Sequence, residues 1–244
     1  MTFIRPGRNP LGDAPAFLQV ASVCLIEGGG TADVTTTLAS ESSANLRLIS
    51  IDAVLTSSFA GPPTLNNGNA FSGGDATPVL NEVYGPVFTQ YSLRAWFVDQ
   101  VLGGSPHSCT QSRTSATNGE STKALIALSG GPTSTVTVLA SLHNAPGSEG
   151  QTLTSPTLNV TGSWGRAIFI DSGTGDVSAQ AHTVTMLTAG WEPLFAFAKT
   201  SAEAPSGYVQ MHAWTRALPP GSHSCQVRHD RNEGAIQAFI LVQA

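Results

Sequence analysis

Two stretches decide how this chain reads: Arg47-Leu48-Ile49-Ser50-Ile51-Asp52 and Arg166-Ala167-Ile168-Phe169-Ile170-Asp171. Both follow Arg-x-Ile-x-Ile-Asp, 119 residues apart. Apolar and β-branched residues recurring at every second position are the mark of a strand, because successive strand side chains point to opposite faces. Outward from these stretches three more matches follow in the same order. Ala95-Trp96 corresponds to Ala213-Trp214, and His107-Ser108-Cys109 to His223-Ser224-Cys225. Ala124-Leu125-Ile126-Ala127-Leu128 corresponds to Ala238-Phe239-Ile240-Leu241-Val242. The offsets shrink from 119 to 118, 116 and 114, as small loop deletions would produce. Four collinear matches predict an internal repeat.

The expected fold is all-β: two tandem antiparallel β-sandwich domains, jelly-roll or Ig-like, at residues 16–130 and 131–244. Gly130-Gly131-Pro132 is the joint. Further alternating runs, such as Val20-Ala21-Ser22-Val23-Cys24-Leu25-Ile26, lie between turn clusters rich in Gly, Pro and Asn. Many short strands at regular spacing read as a sandwich or barrel. No stretch keeps a helical stripe, and residues 98–102 are expected to form at most a short turn. Gly173-Thr174-Gly175-Asp176 reads as a hairpin tip following a strand that ends at Asp171. The second copy ends in an apolar strand over residues 235–242, which makes this segment core rather than tail. Residues 1–15 carry Pro6, Gly7, Pro10, Gly12 and Pro15 beside Arg5 and Arg8. Proline fixes φ and removes donors, so this stretch reads as an extended N-terminal arm.

Composition narrows the function classes. Of the 244 residues only 11% are charged, the net charge is −5, and 41% are hydrophobic. A disordered chain would carry fewer apolar residues and more net charge. A nucleic-acid binder would carry a basic stripe, whereas the nine Arg and two Lys here are scattered. No apolar run is long enough to span a membrane. Gln19 and Ser22 interrupt the apolar stretch after Arg5 and Arg8, and a glycine cluster follows it, so a first strand is expected there rather than a signal peptide. Synthesis in a cytoplasm follows from that reading. Three cysteines, Cys24, Cys109 and Cys225, make a poor disulfide framework and are expected to be reduced and mostly buried.

Candidate sites weigh against plainer readings. His223, Cys225, His229 and Asp230 contain zinc-ligand types. The first copy lacks the set, however, and a Cys packed inward as a small hydrophobe accounts for it better. No metal and no cofactor is expected. Trp96 and Trp214 fall at matching strand positions and read as core anchors. Arg47 with Asp52, and Arg166 with Asp171, recur at the same strand ends in both copies. Five residues apart on a strand they lie on opposite faces, about 16 Å apart, so neither pair works as a unit. No Gly-x-Ser-x-Gly elbow, P-loop or His-Glu-x-x-His is present, which leaves no catalytic residue to name. Asp75, Glu82 and Asp176 have no spacing that supports a glycosidase-type carboxylate pair.

The longest irregular stretch, residues 59–81, is full of Gly, Asn and Pro, and long loops of this kind are often interfacial. Interface candidates are therefore Arg5 and Arg8 on the arm, with Phe59, Asn66, Asn67, Phe71 and Asp75 in the loops. If the chain instead recognises host surface glycans, exposed aromatics are needed; Trp164, Trp191 and Tyr84 are the candidates, with Tyr91 and Tyr208 behind them.

The segment Ala217-Leu218-Pro219-Pro220-Gly221-Ser222-His223-Ser224 leads into an alternating strand and then a closing apolar strand. It resembles the last two strands of β-sandwich virion structural proteins of tailed bacteriophages and gene transfer agents, where a Leu-Pro-x-Gly-Ser-His-like turn opens the penultimate strand. Leu102-Gly103-Gly104-Ser105-Pro106-His107 is a degenerate version in the first half. The resemblance implies a non-enzymatic capsid-decoration, head-fibre, spike or tail-fibre protein located in the virion. It would assemble with copies of itself and with other virion proteins, without nucleic acid and without membrane insertion.

Overall fold

The computed structural model describes residues 19–29, 34–38, 46–55, 64–65, 91–101, 107–111, 120–129, 135–143, 151–162, 164–175, 183–197, 208–230 and 234–243. The described residues form strands joined by turns, and none is helical. The strands are β1 (Gln19–Gly29), β2 (Val34–Leu38), β3 (Leu46–Leu55), β4 (Thr64–Leu65), β5 (Tyr91–Val101) and β6 (His107–Gln111). They continue as β7 (Glu120–Ser129), β8 (Thr135–His143), β9 (Thr152–Thr154), β10 (Leu158–Val160), β11 (Gly165–Gly175) and β12 (Val184–Met186). The last are β13 (Glu192–Phe197), β14 (Tyr208–Leu218), β15 (Gly221–His223), β16 (Gln226–His229) and β17 (Gly234–Gln243). Every ladder among the described residues is antiparallel.

Two larger sheets run β1-β7-β3-β5 and β13-β14-β11-β17-β8. Two three-stranded sheets run β2-β6-β4 and β12-β16-β9, and β10 pairs with β15. Where the sequence matches place strands opposite one another, β3 corresponds to β11, β5 to β14, and β7 to β17. The neighbours follow suit: β3 lies between β7 and β5, as β11 lies between β17 and β14.

The central strands are buried on both faces, which explains their nearly unbroken apolar runs. In β11 and β17 alternate residues feed two different cores. Ile168, Ile170, Ile236, Ala238, Ile240 and Val242 join Ile49, Ile51, Leu93, Ile126 and Leu128 of the four-stranded sheet in one cluster. Ala167, Phe169, Ala235, Phe239 and Leu241 point the other way and pack with Leu153, Val184 and Val227 of the β12-β16-β9 sheet. That outer sheet alternates buried and exposed positions, as β16 does over Gln226–His229, because only one of its faces is covered. Burying each large side chain of this kind contributes about 1.5–3 kcal/mol.

Three local expectations need correction. Residues 98–101 are not a turn but the end of β5, held in register by Leu48↔Val98 and Leu46↔Val101. Gly173-Thr174-Gly175 is not a hairpin tip: β11 continues through Gly175, which pairs with Tyr208. Asp52 and Asp171 therefore lie inside their strands rather than at the ends. In both places ladder partners on neighbouring strands override the local turn propensity. The apolar segment over residues 235–242 is core as expected, since β17 lies between β11 and β8.

Candidate functional site

The chemistry-bearing side chains that converge do so inside the fold, at the two matching aspartates. Asp52 on β3 sits directly across the ladder from Lys123 on β7. Lys123 Nζ donates to Asp52 Oδ1 at 2.8 Å and to Ser50 Oγ at 2.6 Å. Ser50 Oγ in turn donates to Asp52 Oδ2 at 2.7 Å. Cys109 on β6 completes the group, with Sγ 3.7 Å from Ser50 Oγ. The ion-pair side chains are only 1% and 3% exposed. Burial pushes the Cys109 thiol up, against the neighbouring Lys123, so it stays protonated and donates. Ser50 thus accepts from a lysine and a thiol while donating to a carboxylate, which uses its full hydroxyl capacity.

Asp171 on β11 holds the matching place in the second half, and Gln237 stands across the ladder where the first half has Lys123. Gln237 Nε2 donates to Asp171 Oδ2 at 2.8 Å. His229 on β16 brings Nε2 within 3.1 Å of the same oxygen. On the other side Asp171 is opposite His212 of β14. Burial alone would raise the Asp171 carboxyl. The attraction of His229, the hydrogen bonds from His229 and Gln237, and the nearness of His212 outweigh it and hold the group below its usual range. His212 stacks on Trp214 with ring centroids 6.0 Å apart. Burial there, reinforced by His229 and opposed by Asp171 and Asp230, pushes its imidazole down to about 4, so it is neutral near pH 7.

Sequence reading missed both partnerships. The spacings within one strand, Arg47 to Asp52 and Arg166 to Asp171, do not show them, because the partners arrive from other strands. Arg166 is influenced by burial and by Glu192 rather than by Asp171. The signal that was available is Lys123 itself: a lysine inside the run Lys123-Ala124-Leu125-Ile126-Ala127-Leu128 has to be buried and partnered.

The other candidates fall as follows. Cys109 and Cys225 are buried and unpaired by disulfides. Cys225 packs in the second core, and burial pushes its thiol up to about 12. His223 is not beside it in function: its Nε2 lies 2.8 Å from the Pro219 carbonyl oxygen. His229 serves Asp171, and Asp230 is exposed, accepting from the Thr183 backbone N–H at 3.0 Å. Among the described residues no three His, Cys, Asp or Glu side chains converge to hold a metal ion. Trp96 and Trp214 are both buried. Trp191, a candidate glycan platform, is also buried: it meets Phe169 edge-on at 6.1 Å and lies against Phe239 at 5.8 Å. Its ring belongs to the apolar core, so it is not offered to a sugar. Trp164 is half-buried at the entry to β11. Arg5, Arg8, Phe59, Asn66, Asn67, Phe71, Asp75 and Tyr84 lie outside the described residues. No helix among the described residues is long and apolar enough to cross a membrane.

No family model, curated protein or solved structure matches the chain.

Proposed function

We propose that the chain is a non-enzymatic structural subunit of a phage-like virion, acting through the surfaces it presents to copies of itself and to other virion proteins. In this reading residues 16–130 and 131–244 are tandem antiparallel β-sandwiches, and residues 1–15 are an arm that ties neighbours together. The observation that carries it is the inward placement of the reactive groups. Asp52, Lys123, Asp171, His212 and His229 are all buried, and the carboxylates are engaged by other side chains of the chain itself. Groups held this way stabilise and align strands, and their hydrogen-bonding capacity is directed at one another. The matching order of strands around β3 and β11 supports the tandem reading. A chain with 11% charged residues also desolvates few ions when its surface is covered.

Such proteins form closed symmetric assemblies. Sedimentation equilibrium of the purified chain is expected to give a homo-oligomer, and deletion of residues 1–15 is expected to weaken that assembly while leaving the far-UV β signal unchanged. A chain that stays monomeric at high concentration overturns the proposal.

A carbohydrate-binding role on a spike or fibre is the second reading. Trp164, half-buried on β11's approach, is the described aromatic that favours it. A glycan array probed with the wild-type chain and with Trp164→Ala separates the two: sugar binding lost in the variant supports the adhesin.

A further inference from the structure

We infer that Lys123 and Asp52 become joined by an intramolecular amide bond after folding, with Ser50 relaying the proton. The inference stands on the geometry of the first buried cluster and does not depend on the role proposed for the chain.

Three side-chain contacts form a closed circuit. Lys123 Nζ approaches Asp52 Oδ1 at 2.8 Å, Ser50 Oγ receives from Nζ at 2.6 Å, and Ser50 Oγ donates to Asp52 Oδ2 at 2.7 Å. The amine and the carboxyl are thus already at contact distance. One hydroxyl touches both the nitrogen that must lose a proton and the oxygen that must gain one. The reacting groups sit on directly paired residues of two inner strands, so no backbone movement is needed to bring them together. Holding two reactants in this way replaces an encounter in solution with an intramolecular step, with effective molarities of about 10⁵–10⁸ M in favourable cases.

The step balances without any added reagent. A proton passes from Nζ through Ser50 Oγ to the carboxylate, leaving a neutral amine beside a neutral carboxyl. The Nζ lone pair attacks Cγ, and the Nζ–Cγ bond forms. A second proton follows the same path from nitrogen to Oδ2. The Cγ–Oδ2 bond then breaks, and Oδ2 departs as water. Oδ1 remains as the amide oxygen. One ammonium and one carboxylate become one amide and one water, with no change of oxidation state.

The surroundings favour that direction. Both partners are buried, and an ion pair kept out of water carries a desolvation penalty that its own attraction only partly offsets. Condensation removes both charges, and exclusion of bulk water opposes the reverse hydrolysis. Cys109 stays a thiol, so it orients Ser50 and does not compete as a nucleophile. The second half is a built-in control: its aspartate faces Gln237 in the same ladder position, and among the described residues no amine reaches it.

The test is the intact mass of the folded full-length chain. It is expected to be lighter than its sequence mass by one water. Trypsin should then release residues 48–94 joined to residues 114–166, with cleavage after Lys123 blocked. Lys123→Arg should restore the full sequence mass. Ser50→Ala should leave freshly folded chain at its full sequence mass for longer, read by intact mass against time after synthesis, without changing the far-UV spectrum. A folded wild-type chain at its full sequence mass overturns the inference, as does a lost water that maps to another site.

Discussion

Lys123 and Asp52 face each other across the β3–β7 ladder with 2.8 Å between Nζ and Oδ1, in a place where Asp171 faces the neutral Gln237. An aspartate is therefore faced by a lysine in one ladder and by a glutamine in the other. Replacing Lys123 removes the link to Asp52 and leaves a charged carboxylate in a buried place, with Ser50 still donating to it. Lys123→Met is expected to lower stability by about 3–5 kcal/mol, whereas Gln237→Met, which removes one hydrogen bond to a charged group, costs about 1.5–3 kcal/mol. Urea unfolding of the two variants measures the difference.

His212 makes the fold sensitive to mild acid. Its imidazole lies at about 4 in the folded chain, below the ordinary value of 6.5. The unfolded chain therefore takes up the proton first, and stability falls as pH drops from 6.5 towards 4. The loss is on the order of 3 kcal/mol at the acid end of that window. Asp171, whose carboxyl is depressed, adds its own loss only below the usual carboxylate range. Melting temperature followed against pH should slope downward through this window, and His212→Gln should flatten the slope.

Gly165 opens β11 where the β17 side chains come closest. A Cβ there would stand 2.7 Å from Leu241 Cδ1 and 3.3 Å from the Val242 carbonyl oxygen. Leu241 can yield but the carbonyl cannot, so Gly165→Ala is expected to cost about 1–3 kcal/mol, the range for an overpacked interior. Thermal unfolding of the variant measures it.

The thiols of Cys109 and Cys225 should resist alkylation. Both are buried, and burial raises both, Cys225 to about 12. Peptide mapping after iodoacetamide treatment of the native chain should find these two unmodified, with labelling appearing only in denaturant.

Removing residues 239–244 deletes more than half of the ladder that β17 makes with β11 and β8. Phe239, Leu241 and Val242 leave two cores at once. The truncated chain is expected to lose cooperative unfolding of the second half, as read by calorimetry.

The β class was legible because alternation is a local property, visible in Arg47–Asp52 and Arg166–Asp171 without any partner. The inward Cys109 and Cys225 and the buried Trp96 and Trp214 were legible for the same reason. The polar clusters were not. Lys123 reaches Asp52 from 71 positions away, and His229 reaches Asp171 from 58. Pairing across strands depends on register, which spacing along a single strand does not contain. Trp191 misled because an aromatic beside a turn, Ala189-Gly190, resembles an exposed platform; its burial depends on Phe169 and Phe239 from other strands.

The ladders of β17 carry a consequence for how the chain folds. Its partners on β8 and β11 come from far earlier in the chain, with Thr135 paired to Gln243 and Gly165 to the same residue. In the first half Gln19 likewise waits for Ser129. Contact order this high slows folding, because loop-closure entropy is spent before the distant strands reward it. Refolding is expected on the millisecond-to-second scale or slower, and until each late strand arrives its neighbours present unpaired edges. The yield of native chain should therefore fall as refolding concentration rises, well before any change in the stability of the finished fold.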